Sequence, residues 1–156
     1  PDACQKLVLI SSTAKFCAGK GYPCGTPEKI LQRMIVQLKR DPEAVLDQFF
    51  RNVHFPFRES RQAIKNRKDA PYELDDLVKG LEYLLDSDIR EKIPGIDIPV
   101  LLLHGADDRI IPSSAAEWLH AQLPQSELRI IENDGHALPA HHFETVIKST
   151  KAFLPN

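Results

Sequence analysis

The chain has 156 residues, 42% of them apolar and 27% charged, with a formal net charge of −2. That is one domain's worth of chain with enough apolar material for a core, and its charge gives no general attraction for nucleic acid or an anionic membrane surface. No run approaches the roughly 20 apolar residues of a membrane span, the first residues lack a basic segment followed by an apolar one, and Cys4, Cys17 and Cys24 are an odd set without a CxxC spacing. The cysteines therefore read as reduced thiols in a cytoplasmic protein, not as a disulfide framework or a zinc site.

Residues 1–4 look like the tail of a helix-to-strand connection. Residues 6–10 (Lys-Leu-Val-Leu-Ile) are a short apolar run and predict a buried strand, closed by Ser11-Ser12-Thr13. A loop follows to Gly25, punctuated by Gly19, Gly21 and Pro23. Thr26 then suits an N-cap with Pro27 at the first helical position, and Ile30, Met34, Ile35 and Leu38 keep a helical period. Asp41-Pro42 ends that helix and opens a second, with Val45, Leu46, Phe49 and Phe50 on one stripe. After a break at residues 54–57, residues 58–68 predict a strongly basic third helix. Pro71 opens a fourth, carrying Leu74, Leu77, Val78, Leu81 and Leu84. Residues 86–97 read as a connector.

Residues 100–103 are a continuous apolar run, as expected of a strand covered on both faces of a parallel sheet. Gly105 breaks the run, two acids follow, and Pro112 suits the start of a helix. A second unit repeats the plan: residues 127–131 as strand, Asp134-Gly135-His136 as turn, and a last helix. An acid and a histidine would thus sit on neighbouring loops at the carboxyl ends of parallel strands, where open α/β sheets do their chemistry. The fold class expected is α/β, with about three parallel strands and four consecutive helices inserted after the first. Such a sheet leaves the strand of residues 6–10 with a bare edge, which suggests further structure upstream.

Each chemical residue has a plainer alternative. Asp108 can accept from a histidine Nδ1–H, or cap the helix beginning at Pro112; Asp107 is the competing acid and suits a solvated turn position. His136 can serve as general base, with Gly135 allowing a tight turn, while His141 and His142 have no matching role: one would pack and the other face solvent. A metal site from Asp107, Asp108, Asp134, His136, His141 and His142 lacks His-Glu-x-x-His or His-x-His spacing. Ser11, Ser12, Ser113, Ser114 and Cys17 have nothing around them to activate a nucleophile. Arg58, Arg61 and Lys65 form either a solvated basic face, balanced by Glu59 and Asp69, or a docking surface for an acidic partner.

The pattern Gly105-x-x-Asp108-x-x-Ile111-Pro112, followed by Asp134-Gly135-His136, resembles the acid and histidine loops in the C-terminal half of the α/β-hydrolase fold, in the chain order expected after the serine. Lys6-Leu-Val-Leu-Ile-Ser-Ser12 with Phe16-Cys17, and the stretch from Leu81 to Asp88, resemble the entry to and return from the four-helix lid of the pimeloyl-acyl-carrier-protein methyl ester esterases of biotin synthesis. The resemblance implies a core strand over residues 1–12, a helical lid over 13–88 and a C-terminal α/β core over 89–156. It further implies Asp108 as triad acid, His136 as general base, no metal or organic cofactor, an ester substrate, and acyl carrier protein docking on Arg58, Arg61 and Lys65. The chain has no Gly-x-Ser-x-Gly, so the nucleophile is expected in an N-terminal half outside this sequence, and the fragment alone is expected to be inactive. The expected whole is a serine carboxylesterase for the methyl ester of pimeloyl-acyl-carrier protein. A general short-chain carboxylesterase and a non-catalytic binding protein on the same fold are the alternatives.

Overall fold

The computed structural model describes residues 4–154, so most of the expected helix-to-strand tail at residues 1–4 lies outside the described residues. Three strands, β1 (Leu7–Ile10), β2 (Val100–Gly105) and β3 (Ser126–Ile131), form one parallel sheet in the order β1-β2-β3. Leu7 to Ile10 pair in register with Val100 to Leu103, and Val100 to Gly105 with Ser126 to Ile131. Every residue of β2 is buried. Successive side chains point to opposite faces. Val100 and Leu102 pack with Leu119, Leu123 and Ile93 on one face, and Leu101 and Leu103 pack with Leu138, Val146 and Phe153 on the other. Helix α5 (Ser113–Gln122) covers the first face; the short α6 (Leu138–His141) and α7 (Phe143–Phe153) cover the second. This three-layer arrangement explains the continuous apolar run in β2: neither face of the strand reaches water. The outer strand β1 departs from expectation. It is only half-buried, because its other edge has no partner strand among the described residues.

Between β1 and β2 lie four helices, α1 (Glu28–Leu38), α2 (Pro42–His54), α3 (Arg61–Asp69) and α4 (Leu74–Asp86), followed by a 3₁₀ segment at Arg90–Gly95. Helix α1 packs against α2 and α4. Asp41 caps α2 through the Ala44 N–H at 3.1 Å, with Pro42 at the first position, as its sequence requires. Thr26 does not cap α1. Its N–H donates to the Phe16 carbonyl and its carbonyl accepts from the Ala18 N–H, so it is held extended in a bridge to Cys17, and the helix begins at Glu28 behind Pro27. Helix α3 also starts later than its basic run: Ser60 accepts from the Ala63 N–H and leaves Arg58 in the segment before the helix. Pro71 likewise precedes α4 instead of opening it. Among the described residues no helix is long and apolar enough to cross a membrane.

Candidate active site

The acid loop leaves β2 at Gly105. A Cβ there would sit 2.4 Å from the Asp134 carbonyl oxygen, so only glycine lets the loop after β3 come this close. Three residues on, Asp108 is 8% exposed. Its Oδ1 accepts from the backbone N–H groups of Ile110 and Ile111 at 2.7 and 2.9 Å, which closes the turn and aims Oδ2 at the neighbouring loop. Oδ2 lies 2.9 Å from His136 Nδ1 and 3.2 Å from His104 Nε2. Burial by itself would raise the carboxyl's pKa. The donors from His104, His136 and the Ile111 N–H outweigh it and hold Asp108 well below the usual carboxylate range. Helix α5 begins beyond these contacts, at Ser113, with no side-chain cap, so Asp108 does not cap it.

The histidine loop leaves β3 through Asn133, whose φ of 56° is a left-handed conformation that asparagine tolerates. Asp134 is fully buried; its backbone carbonyl accepts from the Asp107 N–H at 2.9 Å, and its carboxylate accepts from the Gly135 N–H at 2.7 Å and from His142 Nδ1. Gly135 is needed for a different reason than a tight turn. Its φ is not in the left-handed region, but a Cβ there would meet the Phe55 carbonyl oxygen of the helical insertion at 1.9 Å. The His136 side chain is 26% exposed. Its Nδ1 donates to Asp108, so in the neutral ring Nε2 carries the lone pair, and Nε2 hydrogen-bonds no side chain among the described residues. The backbone on both sides is anchored: the His136 carbonyl accepts from Ser11 Oγ at 3.1 Å, and the Ala137 N–H donates to the Val53 carbonyl at 3.1 Å. Ser11 does this from a φ of 46°, a strained conformation for a residue with a side chain.

The other candidates sit apart from this pair. Asp107 is exposed, Ser113 and Ser114 are first-turn residues of α5, and Ser12 Oγ donates to the Ile10 carbonyl. Cys17 is buried, and burial pushes its thiol up, away from the thiolate a nucleophile needs. His141 and His142 do not divide into one packed and one solvated: both are half-buried and bonded, His141 to His54 of α2 at 3.0 Å and His142 to Asp134. Burial lowers the pKa of His141, and the Phe57 ring stacks on it at 4.5 Å. Among the described residues no three His, Cys, Asp or Glu side chains are grouped to hold a metal ion. Arg58, Arg61 and Lys65 are exposed, and none enters an ion pair found among the described residues, whereas Arg67 is committed to Asp47 and Glu59. Glu59 therefore balances Arg67.

Two of the hollows in the insertion are lined by phenylalanine. One of about 520 Å³ lies between α1 and α2 against Met34, Val45 and Phe49. The other, of about 630 Å³, is bounded by Phe55, Phe57, Arg58 and Arg109 and lies nearer the site, since Arg109 adjoins Asp108. Sequence reasoning missed His104, Ser11 and the Asp134–His142 pair as supports of the two loops. A histidine closing an otherwise apolar strand run was a usable signal for His104; nothing local pointed to the others.

A family model described as the alpha/beta hydrolase fold matches residues 1–142. The chain is 32% identical over 142 residues to the pimeloyl-[acyl-carrier protein] methyl ester esterase of Nitrosomonas europaea, covering 88% of this chain and 56% of that protein. Among solved structures it is similar to an esterase from Exiguobacterium antarcticum, with a TM-score of 0.84, 23% identity, and coverage of 96% of this chain and 56% of that one. It is also similar to a bromoperoxidase from Bacillus anthracis, with a TM-score of 0.87, 19% identity, and coverage of 97% and 58%. These structures share the fold. The chain spans about half the length of the relatives it matches, and its fold corresponds to their C-terminal part.

Proposed function

The chain belongs to the α/β-hydrolase fold family, and on that premise we propose that it carries the acid and the general base of a serine carboxylesterase. The observation that carries this reading is the 2.9 Å bond from His136 Nδ1 to the buried Asp108 carboxylate, which leaves Nε2 without a side-chain partner among the described residues, at the carboxyl ends of adjacent parallel strands. A serine from the remainder of the fold gives its proton to Nε2 and attacks the ester carbonyl. Asp108 holds the ring in that tautomer and stabilises the imidazolium; His136 returns the proton to the leaving alcohol and then activates water against the acyl-enzyme. Helices α1–α4 form the lid over this site.

The substrate proposed is the methyl ester of a pimeloyl chain on acyl carrier protein. The named esterase at 32% identity supports it, as does an insertion whose exposed Arg58, Arg61 and Lys65 suit an acidic carrier. The test uses the complete gene product and a fluorophosphonate probe, read by intact mass, alongside hydrolysis of pimeloyl-acyl-carrier-protein methyl ester and of small aryl esters. One adduct is expected on the complete protein and none on the 156-residue chain alone. Asp108→Asn is expected to lower kcat by about a thousandfold to ten-thousandfold. Retained activity in His136→Ala would remove the reading. Turnover of small esters without turnover of the carrier substrate would instead make this a short-chain carboxylesterase.

A further inference from the structure

We propose that His104 is a positioning residue for the triad acid: its Nε2–H donates to the Ile111 carbonyl and its Nε2 stands 3.2 Å from Asp108 Oδ2, which orients the carboxylate and draws charge from the oxygen that serves His136. The inference rests on the esterase reading above and deepens it.

His104 closes the apolar run of β2, is 1% exposed, and is neither core filler nor a solvated side chain. Its Nε2 is 2.8 Å from the Ile111 carbonyl oxygen, which can only accept, so Nε2 must carry the hydrogen. The same Nε2 is 3.2 Å from Asp108 Oδ2. Its Nδ1 is buried with no partner among the described residues, so a second proton there would be a buried charge with nothing to receive its hydrogen bond. The ring is thus a fixed Nε2–H donor. It meets the triad acid on the very oxygen that accepts from His136, while Oδ1 is held by the Ile110 and Ile111 N–H groups. Ile111 is therefore tied to the Asp108 carboxylate by its N–H and to His104 by its carbonyl, which makes the acid loop a closed unit with the strand end.

The other titratable or charged groups around the pair are otherwise engaged or turned outward. Asp107 is exposed on the acid loop, and Arg109 lies over the Phe55 ring. Asp134 on the histidine loop is bonded to His142, and His141 to His54 of the insertion. Among the described residues, His136 Nδ1 donates to Asp108 Oδ2 and His104 Nε2 lies 3.2 Å from the same oxygen, so removing one changes what the other feels.

The sign follows directly. Activity requires His136 without a proton on Nε2, and a carboxylate with more charge on Oδ2 favours the imidazolium. Deleting the His104 donor therefore moves the acid limb of the kcat/KM profile to higher pH, by about half a unit or more. It also loosens the acid and lowers kcat roughly tenfold, the size of one lost hydrogen bond to a charged group.

The experiment compares His104→Phe, His104→Gln and His136→Ala in the complete gene product, with pH–rate profiles and thermal midpoints. His104→Phe is expected to show the upward shift; His104→Gln, which keeps an N–H near the same place, is expected to restore the unsubstituted profile. An unmoved profile in folded His104→Phe, with His136→Ala inactive, overturns the inference and leaves the esterase reading standing. Activity in His136→Ala overturns both. If His104→Phe does not fold, ¹⁵N resonances of the unsubstituted protein decide. His104 is expected to show a protonated Nε2 and an unprotonated Nδ1 across the pH range in which activity rises; the opposite tautomer overturns the proposal.

Discussion

Gly135 sets the distance between the loop of His136 and the helical insertion. The Phe55 carbonyl occupies the space where its Cβ would stand, and the Ala137 N–H binds the Val53 carbonyl one step further on. The backbone atoms on both sides are committed, so neither loop can give way without losing a hydrogen bond. Gly135→Ala is therefore expected to destabilise the fold by about 2–4 kcal/mol, measured by denaturant unfolding. A loss within about 0.5 kcal/mol would mean that the insertion separates from the histidine loop at little cost. Ser11 makes the complementary anchor from the sheet side: its hydroxyl satisfies the His136 carbonyl, which offsets part of the strain of its own φ.

At the scale of elements, the cations of α3 and of the segment before it fall into two groups. Arg67 lies over the Phe50 ring and bonds Asp47 and Glu59, tying α3 to α2. Arg58, Arg61 and Lys65 face solvent and leave a positive surface at one end of the insertion. Because they are exposed, their contribution to folding is small, and under the proposed docking role their charge acts mainly on the encounter with a partner. Charge reversal at Arg58 and Arg61 in the complete protein is expected to lower kcat/KM for an acyl-carrier substrate about tenfold at low salt, with the loss shrinking as salt rises. Turnover of a small ester is expected to stay unchanged. Equal kinetics on the carrier substrate would remove the docking role.

At the scale of the whole molecule, the sheet has a covered central strand and two outer strands paired on one edge among the described residues. β2 is covered on both faces and paired on both edges, whereas β1 pairs with β2 alone among the described residues. The free backbone groups of Leu7 to Ile10, with half-buried Val8 and Ile10, form an edge that readily accepts another strand. The isolated 156-residue chain is expected to associate as its concentration rises, read by sedimentation velocity, and the complete gene product to stay monomeric over the same range. A chain that stays monomeric throughout would show the edge to be blocked by something other than a neighbouring strand.

The amino-acid sequence by itself determined the class of fold, the run of four helices between the first two strands, and the Asp108 and His136 loops, which the α/β-hydrolase pattern picks out. Those features are local: apolar periodicity, turn residues and short motifs act over a few positions and survive in the linear order. Tertiary structure alone decided where α1 starts, because Thr26 surrendered its backbone groups to residues 16–18 and not to its own helix. It also decided which oxygen of Asp108 serves His136, that Gly135 is required by a close approach instead of a turn, and that His141 and His142 are both engaged. The bonds from Ser11 to His136 and from His54 to His141 join residues 125 and 87 positions apart. Such pairs leave no spacing pattern in the chain, since they arise only once the sheet has brought the two loops together and the insertion has folded back over them.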